Sequence, residues 1–117
     1  MYGLREDIDL TYFIGKGLIE LGVGQFGFGL NFGDNISISV EAGGFSLNNT
    51  RYKNQQESQK GHLLHILLGK KIIDAKHGKE AGDLQLDFEG NNQLILHDDS
   101  EWYESYTFWD PKGLVVV

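Results

Sequence analysis

Cysteine is absent from the 117-residue chain, and proline and methionine each occur once. Without cysteine the chain has no disulfide framework, no thiolate nucleophile and no zinc site built on sulfur. The first ten residues carry four charges and no apolar run, so we expect no signal peptide, and no stretch reaches the length of a membrane span. These absences favour a cytoplasmic protein that makes no contact with a membrane.

Basic residues are also scarce, since 10 Lys and Arg stand against 17 Asp and Glu, for a net charge of −7. Such a charge repels a phosphate backbone, so we expect no nucleic-acid partner and favour a basic protein. Glycine, in contrast, occurs 16 times and separates short apolar runs, a pattern typical of tight turns between strands. The length and the 40% of hydrophobic residues fit a single domain over residues 1–117.

Two segments of the chain match each other in spacing and in chemistry. Both begin with an apolar residue, a glycine and a lysine, at Ile14–Lys16 and Leu68–Lys70. Further matched runs follow in the same order: Phe28–Phe32 with Leu84–Phe88, Ile36–Ser39 with Leu94–His97, and Phe45–Leu47 with Tyr106–Phe108. We predict an internal repeat, 14–48 and 68–108, joined by a polar loop over 49–60. The alternative is that any two β-meanders look alike at this level.

Within each copy, apolar and polar residues alternate as in an antiparallel strand with one wet face. Leu84, Leu86 and Phe88 alternate with Asp83, Gln85, Asp87 and Glu89. The sequence therefore predicts an all-β fold. Two duplicated antiparallel β-meanders would form either a sandwich or one strongly bent, barrel-like sheet.

Two further segments extend this prediction. Ser58–Leu68 fits either a short helix, with Leu64, Leu67 and Leu68 on one face, or a strand. Leu114–Val117 follows a Pro-Lys-Gly turn and ends in three β-branched valines, which predicts a last strand.

Four runs of the second half carry a resemblance to a known family: Leu67–Ile72, Leu84–Phe88, Tyr103–Tyr106 and Gly113–Val116. They follow the order of a leucine-glycine-basic start, an apolar strand ending in Phe, a Tyr-Glu-x-aromatic strand and a glycine-led closing strand. In this the chain resembles a bacterial family of small β-domains of unknown function. Members of that family look like single-domain immunity proteins, which neutralise secreted bacterial toxins. The resemblance implies no catalytic residues.

Motifs for catalysis or cofactor binding are incomplete. The glycine pattern of residues 22–27 precedes a strand, whereas a nucleotide-binding loop opens a helix. His62 and His65 have no third metal ligand in a known spacing. The components of a serine triad that lie nearest in sequence are Ser100, His97 and Asp98. Residues so close along one strand seldom converge, so we predict no catalytic residue, no metal and no cofactor.

The second copy gathers acidic and aromatic residues. Nine acids and no Lys or Arg lie between Glu80 and Asp110. Carboxylates steer a basic partner and aromatic side chains anchor it, so we predict a partner-binding surface. Its residues would be Asp83, Asp87, Asp98, Asp99, Glu101, Trp102, Tyr103, Glu104 and Trp109. The alternative places the aromatic residues in the core and leaves the acids as a solvated surface.

Together these observations predict an immunity protein that binds and neutralises a basic toxin domain, with a cationic nuclease as the candidate. Two other classes stay open. One is a non-enzymatic β-domain of structural or ligand-binding role, with a homodimer through the strand Leu114–Val117. The other is an enzyme, which a buried Glu104 beside a histidine would favour.

Overall fold

The computed structural model describes residues 3–25, 27–53, 58–100, 104–110 and 113–117. These residues form ten strands and two 3-10 helices. The strands are β1 (Glu20–Val23), β2 (Phe28–Gly33), β3 (Ile36–Val40), β4 (Phe45–Leu47), β5 (Thr50–Tyr52), β6 (Ile72–His77), β7 (Leu84–Phe88), β8 (Asn92–Leu96), β9 (Tyr106–Asp110) and β10 (Gly113–Val116). The 3-10 helices are Thr11–Phe13 and Ser58–Leu67.

The strands form two antiparallel sheets of five strands each, which confirms the predicted all-β class. The first sheet has the order β1-β2-β3-β9-β10, and the second has the order β6-β7-β8-β4-β5. Side chains from the two sheets share one core, in which the rings of Phe32 and Phe88 lie 6.5 Å apart and those of Phe28 and Phe45 lie 5.2 Å apart. The fold is therefore a sandwich of two sheets.

The alternation in β7 produces the expected two faces. Leu84, Leu86 and Phe88 are fully buried, whereas Gln85 and Asp87 on the opposite face are partly exposed. Each such apolar side chain contributes about 2 kcal/mol when it is taken out of water. This burial fixes the pairing register of β7, because a shift of one residue would turn its apolar face to solvent.

The two sheets have the same connectivity. In the first half of the chain, β1, β2 and β3 form a meander in the first sheet, and the chain then crosses so that β4 and β5 join the second sheet. In the second half, β6, β7 and β8 form a meander in the second sheet, and β9 and β10 join the first. Each half thus completes the other half's sheet.

The two glycine-lysine starts meet and exchange hydrogen bonds. Gly15 N donates to Ile72 O at 2.7 Å, and the equivalent Gly69 N donates to Leu18 O at 2.8 Å. A second reciprocal pair joins the same segments: Leu18 N to Lys70 O, and Ile72 N to Lys16 O. Gly15 and Gly69 have φ values of 88° and 80°, a region that glycine adopts without the steric cost other residues incur. The repeated motif therefore builds a contact between the two halves.

Two details differ from expectation. The predicted polar loop 49–60 contains β5, which pairs with β4 and presents Arg51 to solvent. The segment left open between helix and strand is a 3-10 helix, Ser58–Leu67. Leu64 and Leu67 are buried, but Leu68 is 43% exposed, since the three-residue turn of a 3-10 helix aligns positions three apart and excludes the third leucine.

The predicted last strand is present as β10. Among the described residues, no helix is long and apolar enough to cross a membrane.

Candidate interaction site at the crossovers

The two crossovers between the sheets pack against each other. The first covers residues 41–44, and the second covers residues 97–105. Glu41 N and Gly43 N both donate to Ser105 O, at 3.2 and 3.1 Å, and His97 N donates to Gly44 O at 3.0 Å. A Cβ at Gly43 would lie 2.6 Å from His97 O, so only glycine permits this approach. The second crossover is five residues longer than the first.

A buried network of side-chain hydrogen bonds lies at the start of the longer crossover. His97 Nδ1 lies 2.9 Å from Asp83 Oδ2, and His97 Nε2 lies 2.7 Å from Ser46 Oγ. Because a carboxylate only accepts, we assign the proton to Nδ1, and Nε2 then accepts from the Ser46 hydroxyl. Asp83 and His97 are each only 4% exposed. These hydrogen bonds link β7, β8 and β4 at the point where the crossover leaves the second sheet.

Burial raises the pKa of Asp83 above its ordinary value, and the charge and hydrogen bond of His97 oppose this rise. Burial also raises the pKa of Tyr106, which therefore stays protonated and donates to Gly82 O at 2.6 Å. This phenol fixes the loop before Asp83 to the first strand after the crossover.

A carboxyl titration by NMR should separate Asp83 from Asp9. We expect Asp83 to titrate above the ordinary value of 3.8, whereas the hydrogen bonds from Thr11 hold the pKa of the exposed Asp9 below it. By linkage, the contribution of Asp83 to the free energy of unfolding is present below 3.8 and is lost as pH rises through its raised folded pKa. A common midpoint for both carboxyls would contradict this.

The carboxylates of Asp98 and Asp99 hold the longer crossover to its surroundings. Asp98 accepts from Gly3 N at 3.0 Å and from the Ser105 hydroxyl at 2.9 Å. Asp99 accepts from Gly44 N at 2.8 Å and lies 3.6 Å from an Arg51 nitrogen. Both acids therefore act at least partly as anchors within the protein.

The predicted partner-binding residues do not form one continuous surface. Asp98, Asp99 and Glu104 belong to the longer crossover, whereas Asp83 is buried beneath it, which corrects the prediction that this side chain contacts a partner. The alternation that suggested an exposed carboxylate does not reveal the crossover that covers it. Glu101, Trp102 and Tyr103 lie outside the described residues.

The two remaining predicted residues lie on opposite faces of the sandwich. Asp87 is on the outer face of the second sheet, where it accepts from Gln85 and Gln93 and lies 3.9 Å from the Lys76 ammonium. Trp109 is 53% exposed and belongs to β9 of the first sheet. Neither extends the surface formed by the crossovers.

Two acids that the sequence analysis did not select complete this end of the molecule. Glu41 is exposed on the shorter crossover, and Glu80 lies 3.3 Å from Arg51, which also contacts Asp99. We call the resulting surface the acidic end; it consists of the five acids Glu41, Glu80, Asp98, Asp99 and Glu104, with Arg51 paired to Glu80 and Asp99. Glu41 is far from the others in sequence, and only the contact between the crossovers brings it near them.

Ser46, His97 and Asp83 have the hydrogen-bond order of a serine triad, with partners other than the Ser100 and Asp98 considered from the sequence. A hydrolase also needs backbone donors aimed at the developing oxyanion. Near Ser46, the N–H groups of Gly43 and Gly44 already donate within the fold, and β4 is paired on both sides. The described residues therefore supply no ready oxyanion hole. The hydrogen bonds among Ser46, His97 and Asp83 are explained by their structural role, which is to support the crossover.

Glu80, Asp83 and His97 also offer three ligand atoms within 4.8 Å of one another. Both nitrogens of His97 are engaged with Asp83 and Ser46, and Glu80 is paired with Arg51. A metal ion would have to displace these partners, so the geometry favours the hydrogen-bond chain over coordination.

Comparison of the chain with protein-family models, with curated proteins and with solved structures gave no match. The resemblance to immunity-like β-domains therefore stays a prediction.

Proposed function

We propose that this chain is a non-enzymatic bacterial immunity protein that binds a basic toxin domain through the acidic end. The observation that carries the proposal is the longer crossover, which departs from the shared plan of the two halves by five added residues. Loops placed on a rigid scaffold are where binding residues concentrate. The added residues belong to the segment in which the sequence gathers acids and tryptophan.

The longer crossover is held at both of its ends. Ser100 N donates to Ser105 Oγ at 3.3 Å, so Ser100 and Ser105 are joined directly. Ser100 and Ser105 are themselves buried, and Asp98 holds the same hydroxyl. A loop whose ends are fixed before binding loses less conformational entropy when a partner arrives.

The acidic residues at the crossovers have two different roles. Asp83, Asp98 and Asp99 position the crossover, and Glu104 and Glu41 supply charge at its surface. In the sequence, the residues between Ser100 and Glu104 are Glu101, Trp102 and Tyr103, an acid and two aromatic residues of the types that anchor a partner.

A cationic nuclease fits this surface because its nucleic-acid face is basic. With a net charge of −7, the chain would attract that face at long range and block it on binding. Such an inhibitor would act in the cytoplasm of the bacterium that makes the toxin.

The test is an affinity capture with the full chain as bait and the product of the neighbouring toxin-like gene as prey. We expect a tight complex that weakens as salt is raised, and inhibition of the toxin's nuclease activity in the same proportions. Absence of a complex with every adjacent toxin-like product would sink the proposal. A complex insensitive to salt would show that charge does not drive it.

A further inference from the structure

The four strands at the sheet edges differ in how they are protected. An edge strand exposes unpaired backbone groups, and charges or irregular pairing usually guard it. β1 carries Glu20, β5 carries Arg51, and β6 carries Asp74 and Lys76 together with a shift of register. β10, Gly113–Val116, has no charged residue and no such shift. Of the edges that the structure describes, it is the one with neither form of protection.

The pairing of β10 with β9 determines which of its backbone groups face outward. Val117 and Tyr106 exchange both hydrogen bonds, with Val117 N to Tyr106 O at 2.9 Å. In an antiparallel ladder the next residue along points its N–H and C=O away from the partner strand. The groups of Val116 and Leu114 therefore face the free edge, and no hydrogen bond to them is seen within the described residues.

The side chains beside this edge are apolar and exposed. Leu114 and Trp109 are cross-strand neighbours, and they are 51% and 53% exposed. The rise of a strand, about 3.3 Å per residue, places Trp109 about 13 Å from Ser105, at the far end of β9 from the crossovers. A partner over Trp109 and Leu114 would thus leave most of the acidic end free.

We propose that β10 pairs with β10 of a second copy of this chain in an antiparallel register centred on Val115. In that register Leu114 lies opposite Val116 of the second copy, and the outward groups of both positions form four hydrogen bonds. The segment is complementary to itself, because apolar residues face apolar residues and no like charges are opposed. The same two-fold pairing brings the Trp109–Leu114 pairs toward one continuous apolar stripe across a ten-stranded sheet.

The contact is small, so we expect a weak dimer. Each copy carries a net charge of −7, and salt screens the repulsion between the remote acids. The dimer should therefore tighten as salt is raised, which is the opposite of the behaviour proposed for the toxin complex.

Sedimentation equilibrium of the full chain tests the proposal. Leu114→Lys places a charge at the edge, and Val116→Pro removes one outward N–H; each should raise the dissociation constant at least tenfold. Val23→Lys, at the 47% exposed end of the edge strand β1, is the matched control and should leave it unchanged. Far-ultraviolet circular dichroism and thermal melts of the monomeric variants verify that they are folded.

Two results would overturn the proposal. One is a wild-type chain that stays monomeric up to millimolar concentration. The other is a dimer that Leu114→Lys and Val23→Lys weaken equally, because the contact would then lie elsewhere.

Discussion

Replacing His97 by alanine should lower the free energy of unfolding by about 3 kcal/mol or more. The variant leaves Asp83 buried without the ring that donates to it at 2.9 Å, and it also removes the acceptor of the Ser46 hydroxyl. Burial already disfavours the ionised form of Asp83, as its raised pKa indicates. The variant leaves the buried carboxylate with only the long hydrogen bond from Asp98 N, at 3.4 Å, so its cost exceeds that of a lost surface contact.

Urea denaturation at neutral pH measures this effect, and two further variants define its origin. Ser46→Ala removes a single neutral hydrogen bond and should cost about 1 kcal/mol. The double variant His97→Ala, Asp83→Ala also removes the buried carboxylate. Its loss of unfolding free energy should be smaller than the sum of the losses in the two single variants. If His97→Ala costs no more than Ser46→Ala, the buried pair does not support the crossover.

The strands themselves were predictable from local pattern, because each buries alternate residues on one core. Leu84, Leu86 and Phe88 show this most clearly, since all three are fully buried. The exchange of β4 and β9 between the sheets was not predictable. A strand that crosses to the other sheet keeps the same alternation, so nothing in Phe45–Leu47 tells which meander it joins.

The alignment of the two matched segments was also not fully predictable from the sequence. The sequence match set Ile36 against Leu94, but the ladders place Ile38 and Leu94 at equivalent positions, opposite Leu30 and Leu86. A shift by two residues preserves which face each side chain occupies, so the apolar pattern cannot detect it.

The site was predictable in composition but not in arrangement. The sequence indicated that acids concentrate in the second copy, and Asp98, Asp99 and Glu104 all belong to the longer crossover. Asp83 appeared exposed by alternation, yet it pairs with His97, 14 residues away, under the crossover. Ser46 lies 51 residues from His97, and only the exchange of strands between sheets brings them into contact.

Charge reversal at the acidic end should weaken the proposed toxin complex on the order of 100-fold. Glu41→Lys combined with Glu104→Lys places two positive charges against a basic face, at a cost of about 3 kcal/mol in binding free energy. The loss should shrink at high salt, because the repelling charges lie at the surface.

The matched control is Glu20→Lys combined with Asp74→Lys. Both of its positions lie toward the opposite end of the sandwich, near the paired glycine-lysine starts, and the double change shifts the net charge from −7 to −3 as the test variant does. Any effect of overall charge alone would therefore appear equally in both variants.

The dissociation constants of these two variants for the captured toxin, measured by calorimetry in the same buffer, test the central claim most directly. We expect a loss on the order of 100-fold for the crossover variant and a loss of less than about tenfold for the control. Equal losses, or a larger loss for the control, would show that the partner does not bind at the acidic end.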